Sequence, residues 1–191
     1  MCVGQSSSAR SVNRNNGKDA NMAYIVPGMF LIPQTMRMSC WYASAQMLVK
    51  WKEGQRQQSS DHLISPEFDA ECVILRDANN GIQNSQIIRA ATRIGLQHVP
   101  PLSPTPEAIE CWLAQFGPLW VNGKTHIVVI AGIVWFPILG YQLLVYDPAP
   151  VNKGKIEWRS LTNWYAMGSS VSSRDTGRDV KTVFLYVPDD L

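Results

Sequence analysis

The chain has 191 residues, which at roughly 150 residues per domain is enough for one core of ordinary size. Its 17 Lys and Arg against 15 Asp and Glu leave a net charge of +2, and its charged fraction of 17% lies below the roughly 25% of average soluble domains; together these exclude a nucleic-acid binder held by a basic face. With 46% apolar residues and no uninterrupted apolar run near the ~20 residues of a membrane span, the composition predicts a soluble domain with a well-filled core and no membrane partner.

Residues 1–22, with SSSARSVNRNNGKDAN at their centre, hold too little apolar surface to offset the entropy of ordering and are expected to form a flexible tail. They also contain no apolar stretch of the signal-peptide kind, so any export is expected to follow another route. From Tyr24 the run YIVPGMFLIP reads as an extended lead-in, bent by Pro27, Gly28 and Pro33. A helix is expected to start at Ser39 as N-cap, with Cys40, Ser44, Met47, Leu48 and Trp51 on one stripe and Gly54 as its stop. Ser65-Pro66-Glu67 predicts the start of a second helix, and Asn84 opens a third that Gly95 closes. Thr105-Pro106-Glu107 opens a fourth, ended by Gly117-Pro118, with Ile109, Trp112, Leu113 and Phe116 on one face.

After Pro118 the apolar period changes from helix to strand. PLWVN, THIVVIAGIVW, YQLLVYD, KIEWRS and KTVFLYV are short, rich in β-branched and aromatic residues, and separated by turn residues. The Ser/Gly-rich segment 168–179 reads as a mobile loop. Helices followed by strands predict an α+β fold with an antiparallel sheet, because no crossover helices remain to join parallel neighbours. The expected organisation is one domain over residues 23–191, helical from about 23 to 117 and sheet-forming from about 118 to 191.

The four cysteines, Cys2, Cys40, Cys72 and Cys111, form no CxxC, and His62, His98 and His126 are far apart in sequence. The expectation is therefore free thiols, no structural metal and no cofactor. Cys40 would lie in the first helical turn, where unpaired N–H groups and the helix dipole favour a thiolate; the alternative is a small buried hydrophobe. Cys72 and Cys111 fall inside amphipathic helices and suit that second role better.

A thiolate nucleophile works with a base whose proton affinity suits neutral pH, and His126 opens the strand HIVVIAGI. A histidine there could equally be a satisfied edge residue. Asp147 ends the following strand, so antiparallel pairing of the two would bring it beside His126 as the acceptor that orients the imidazole. Asp147-Pro148 also reads as turn initiation, which is compatible with that role. Gln34, six residues before Cys40, could add a carboxamide donor to an oxyanion.

Gln34, the segment MSCWYASAQM around Cys40, Thr125-His126 and Tyr146-Asp147-Pro148 together resemble the papain-like cysteine peptidases, in the order Cys, His, Asp. The resemblance runs from about Tyr24 to Trp164 and is nearest to the compact bacterial branch, with its bacteriocin-leader peptidases and effector proteases. Arg37 and Met38 stand where the papain signature has Cys-Gly, and only Ser39-Cys40-Trp41 agree with it, so the associated disulfide is absent. That absence fits action in a reducing cytosol. The shorter interval between Cys40 and His126 implies a trimmed papain-like fold, with the nucleophile helix packed on the sheet.

The resemblance implies a cysteine endopeptidase with Cys40 as nucleophile, His126 as base and acid, Asp147 as orienter and Gln34 as oxyanion donor. It further implies a protein substrate and a bacterial toxin or effector role, cytoplasmic or delivered into another cell's cytosol. An inhibitory immunity protein is then expected in the producing cell. The same triad would serve a deamidase, an acyltransferase or a cell-wall peptide amidase. A different class of reading is an inactive interaction module displaying Trp112, Trp120, Trp135, Trp158 and Trp164.

Overall fold

The run IVVIAGI offers no polar position to water, and the strand it forms is covered on both faces. In the computed structural model, which describes residues 23–55, 62–99, 105–123, 126–161 and 183–188, this strand is β4 (Ile127–Phe136), buried from Ile127 to Ile133. The expected tail and the 168–179 loop lie outside the described residues. The other strands are β1 (Ala23–Ile25), β2 (Gln97–Val99), β3 (Leu119–Asn122), β5 (Gly140–Asp147), β6 (Lys155–Ser160) and β7 (Phe184–Tyr186). They form one sheet in the order β2-β7-β3-β4-β5-β6, with β1 paired to the far half of β4, and every described pairing is antiparallel.

Successive residues of β4 serve two cores. Ile127 and Val129 join Trp120 and Leu185 against helix α1 (Cys40–Gln55) and helix α3 (Asn84–Arg93). Val128 and Ile130 join Val121, Leu143, Val145 and Phe184 against Ile109 and Leu113 of helix α4 (Pro106–Phe116). Strand alternation thus explains why the sequence is apolar at both parities: helices cover both faces of the sheet centre. At roughly 1.5–3 kcal/mol for each large apolar side chain removed from water, these clusters dominate the stability of the fold.

The helical half follows the sequence reading with local corrections. Pro66–Phe68 forms only a single 3-10 turn, and helix α2 (Ala70–Asp77) begins later, capped by Asp69, whose carboxylate accepts from the Cys72 N–H at 2.8 Å. Asp69 is held there by Arg93 at 2.9 Å, a long-range ion pair that local signals do not reveal. Ser39 does precede helix α1, but its hydroxyl turns back to Met36 N and O rather than capping the helix. Helix α1 also runs one residue past Gly54. The division at residue 117 is too strict, since β1 and β2 come from the N-terminal half; β2 is only three residues long and exists through its pairing with β7.

Two hydrogen bonds dock the start of α1 on the sheet. Trp120 Nε1 donates to Trp41 O at 3.1 Å, and Ser44 Oγ donates to Ile127 O at 3.5 Å. The far end of α1 is fixed by Trp51, whose indole N–H donates to Pro27 O at 2.9 Å while its ring lies against Gly117. Gly117 has φ +82°, and a Cβ there would sit 2.1 Å from the Trp51 ring. Gly117→Ala is therefore expected to destabilise the protein by about 2–3 kcal/mol or more, through both backbone strain and a clash with an immobile ring. Urea unfolding monitored by tryptophan fluorescence measures this directly, and a midpoint equal to that of the unmodified protein would contradict it.

Candidate active site

Cys40 is the first residue of α1 and borders a cavity of about 250 Å³, whose walls include Met38, Trp41, Ile82, Asn122 and His126. The segment before it is tightly tied. Gln34 is buried, its N–H donates to Pro148 O at 2.9 Å, and its carbonyl accepts from Asn152 N at 2.8 Å. These two bonds join the approach to Cys40 directly to the turn that follows Asp147. On the other side of the cavity, Trp41 Nε1 donates to Asn80 O at 3.1 Å and Met38 N donates to Asn79 Oδ1 at 3.0 Å, which docks the α2–α3 loop beside helix α1.

His126 is set by the β3–β4 turn, where Gly123 N donates to His126 O at 2.7 Å. The pairing of β4 with β5, in register Val129 to Tyr146, brings the end of β5 to this same edge of the sheet. There His126 Nε2 lies 2.6 Å from Asp147 Oδ1. With Nε2 turned to the carboxylate, Nδ1 is the nitrogen left for Cys40, with which His126 also interacts. Burial disfavours the imidazolium, but the hydrogen bonds to Asp147 and Cys40 and their negative charge outweigh it and push the His126 pKa up to about 10.

Asp147 is 3% exposed, so its charge needs local compensation. Burial by itself would raise its pKa. The hydrogen bond and charge of His126, the Ala149 N–H at 2.8 Å and the Arg159 guanidinium prevail and hold the carboxyl below its ordinary range. Arg159 Nη2 reaches Asp147 Oδ2 at 2.5 Å, while its Nε donates to Glu157 Oε1 at 2.6 Å. Nothing in the sequence singles out Arg159. Its only local signal is a charged residue within the strand-like run KIEWRS, and its reach to Asp147 depends on the β5–β6 pairing.

Of the sequence-derived residues, Cys40, His126 and Asp147 converge. Gln34 lies in the same region, but its Nε2 donates to Met36 O at 2.8 Å and to Arg37 O at 2.9 Å, so both amide hydrogens are engaged. Its Oε1 has no hydrogen-bond partner among the described residues. Gln34 is thus also a structural brace for the loop before Cys40, a part its sequence context did not suggest. Asn122 was missed as well: its Oδ1 accepts from Val183 N at 2.7 Å, tying β7 to the turn that carries His126.

The remaining cysteines divide. Cys40 and Cys72 carry free thiols, as expected, whereas Cys111 is disulfide-bonded, against expectation. Burial, together with the nearby Asp69 carboxylate, pushes the Cys72 thiol up to about 12. Of the five tryptophans, Trp120 is buried, Trp112 packs on the core, Trp135 is half-buried and Trp158 is exposed, so the described ones are not displayed together as an exposed set; Trp164 lies outside the described residues.

The fold and site define a papain-like cysteine protease, with an α-helix presenting cysteine to a histidine on an antiparallel sheet. Residues 21–170 match the family model of the papain-like cysteine protease AvrRpt2, and the chain belongs to that family. A crystal structure of UfSP from C.elegans shares the fold, with a TM-score of 0.55 and 14% sequence identity. The match covers 92% of this chain and 36% of the UfSP chain, so the chain spans about a third of that protein. No curated protein matches. No helix among the described residues is long and apolar enough to cross a membrane.

The contrast between the two free thiols is testable. Both thiols are buried, but Cys40 borders the cavity beside His126 whereas Cys72 is sealed in the core and held neutral, so iodoacetamide at pH 7 is expected to modify Cys40 at least about a hundredfold faster than Cys72. Peptide mass spectrometry over a time course reads both sites, and equal rates would contradict the assignment.

Proposed function

We propose that the chain is a cysteine endopeptidase acting through a Cys40-His126-Asp147 triad. The observation that carries this reading is the 2.6 Å contact between His126 Nε2 and Asp147 Oδ1, made by a histidine whose other nitrogen is left for Cys40. Asp147 fixes the ring orientation, and a cationic imidazole beside a thiol favours its ionised form. In acylation the Cys40 Sγ attacks the scissile carbonyl, and His126 gives its Nδ1 proton to the departing amine. In deacylation His126 takes a proton from water, whose oxygen displaces Sγ, releasing the acid and regenerating the thiolate–imidazolium pair.

The backbone N–H of Cys40, at the start of α1, is one donor to the developing oxyanion. Gln34 supplies the second by releasing one amide hydrogen from Met36 O or Arg37 O when substrate enters, since such contacts commonly tighten only with substrate bound. Substrate lies along the cavity bordered by Met38, Ile82 and His126. We further read the protein as a toxin or effector that cleaves a cytosolic protein of another cell, restrained by an immunity protein in the producing cell. Support for that extension is the resemblance of the segments around Gln34, Cys40, His126 and Asp147 to compact bacterial effector peptidases.

Three outcomes follow. Mapping of new peptide N-termini after incubation with bacterial and eukaryotic lysates should reveal a cleaved protein, with fragment masses summing to the parent plus one water. A gain of about one mass unit on an intact chain would instead identify a deamidase, and an adduct an acyltransferase. Against a cleaved substrate, Asp147→Ala is expected to lower turnover severely and to move the alkaline limb of the pH–rate profile below the region of pH 10, because it removes a contact that favours imidazolium. Asp147→Asn should retain more activity, and an unchanged profile for Asp147→Ala would remove Asp147 from the triad. Gln34→Ala should reduce turnover about a hundred- to a thousandfold and stability by about 1–3 kcal/mol, the latter through two lost buried hydrogen bonds. A stability loss with turnover reduced less than tenfold would make Gln34 a brace alone.

A further inference from the structure

The carboxylate of Asp147 is shared. Oδ1 accepts from the Ala149 N–H and meets His126 Nε2, while Oδ2 meets Arg159. Arg159 is itself aimed by Glu157, whose Oε1 receives the guanidinium Nε at 2.6 Å. Lys155 Nζ completes the group, 3.1 Å from Glu157 Oε1 and 4.0 Å from Asp147 Oδ2. Among the described residues two carboxylates and two cations cancel, so His126 and Cys40 face a cluster in which these four charges sum to zero.

We propose that Arg159 is a positioning residue of this site: by occupying the second oxygen of Asp147 it makes a charged acceptor nearly neutral, aims the first oxygen at His126 Nε2, and so sets how tightly the imidazole holds its proton. The inference rests on the Cys40-His126-Asp147 reading and adds what controls it. An imidazole opposite a bare buried carboxylate would hold its proton strongly, which favours the thiolate but slows proton delivery to the leaving amine. Arg159 relieves that bias. It is suited to the task because its side chain is only 13% exposed, so its charge is poorly screened, and because its planar fork serves two carboxylates at once. Lys155, at 47% exposure and 4.0 Å, is a weaker contributor.

Among the described residues, the groups facing His126 are Cys40 from α1 and Asp147 from β5; those facing Asp147 are His126, the Ala149 N–H, and Arg159 and Lys155 from β6, both of which also meet Glu157. Charge arithmetic on Asp147, Glu157, Arg159 and Lys155 gives opposite signs for two substitutions. Arg159→Met leaves a net negative charge opposite His126 and should move its proton loss to higher pH. Asp147→Asn leaves a net positive charge and should move it to lower pH. The double variant restores neutrality and should return close to the unmodified protein.

Iodoacetate reads this without a protein substrate, because an anionic reagent alkylates Cys40 faster while the neighbouring imidazole is cationic. The rate at Cys40, followed by peptide mass spectrometry from pH 5 to 11 on the full chain, should fall along an alkaline limb that reports His126. Arg159→Met is expected to raise that limb by on the order of half to one pH unit, with Arg159→Lys between it and the unmodified protein. A limb unmoved or lowered in Arg159→Met, or a double variant whose limb lies outside the range set by the two single variants, overturns the proposal. If Arg159→Met does not fold, Arg159→Lys and the double variant decide by the same criteria. His126→Asn separates the two levels. If it abolishes the limb while Arg159→Met leaves it unmoved, only the Arg159 proposal fails; if the limb survives His126→Asn, the triad reading fails with it.

Discussion

A buried carboxylate with no water to solvate it has to be surrounded by donors, and the geometry of this protein around Asp147 follows from that requirement. Two elements and a turn converge on its two oxygens: His126 at the start of β4, Arg159 on β6, and the Ala149 N–H just beyond β5. Removing any one partner leaves charge uncompensated in a place where it is expensive. The same contacts that keep Asp147 ionised fix the imidazole in one orientation. Stability of this edge of the sheet and orientation of the proposed triad are therefore one physical problem.

Cys40, the proposed nucleophile, arrives from a different part of the chain and is positioned by other forces. Helix α1 is buried along most of its length, with residues in both apolar clusters, so its rotation is set by packing. Its height along the sheet is set by directional contacts, the Trp120 indole to Trp41 O and Ser44 Oγ to Ile127 O. The latter joins the helix to the residue immediately after His126. Gln34 then straps the approach to Cys40 onto the turn after Asp147 through its own N–H and C=O. Backbone bonds of this kind tie the two halves of the site together independently of the side chains that carry the chemistry.

Much of this was legible in the sequence because it is local or periodic. Helices opening at Cys40, Asn84 and Pro106 and the principal strands follow from stops and apolar period, with Thr105 capping the last helix as expected while Gln83 rather than Asn84 caps α3, and the neighbourhood of His126 and Asp147 follows from pairing two consecutive strands. Where the reading missed, a distant partner had intervened. Asp69 rather than Ser65 caps α2 because Arg93 holds it there. Strand β2 has no signal of its own and forms against β7, which lies far along the chain. The engagement of Gln34 with Met36 and Arg37 depends on how a Pro-bounded loop folds back on itself.

The sequence by itself determined which residue types could do the chemistry and the order in which they occur, since a cysteine at a helix start and a histidine at a strand start are statements about local backbone. It also determined that the sheet would be antiparallel, because after Pro118 the sequence offers strands and no helices that could serve as crossovers. Only the tertiary structure decided the charge balance of the site. Arg159 and Glu157 reach it through the β5–β6 register, and a side chain's direction across a sheet is fixed by pairing that no local pattern encodes. Tertiary packing likewise decided how much water reaches Asp147, and with it how strongly each neighbouring charge is felt.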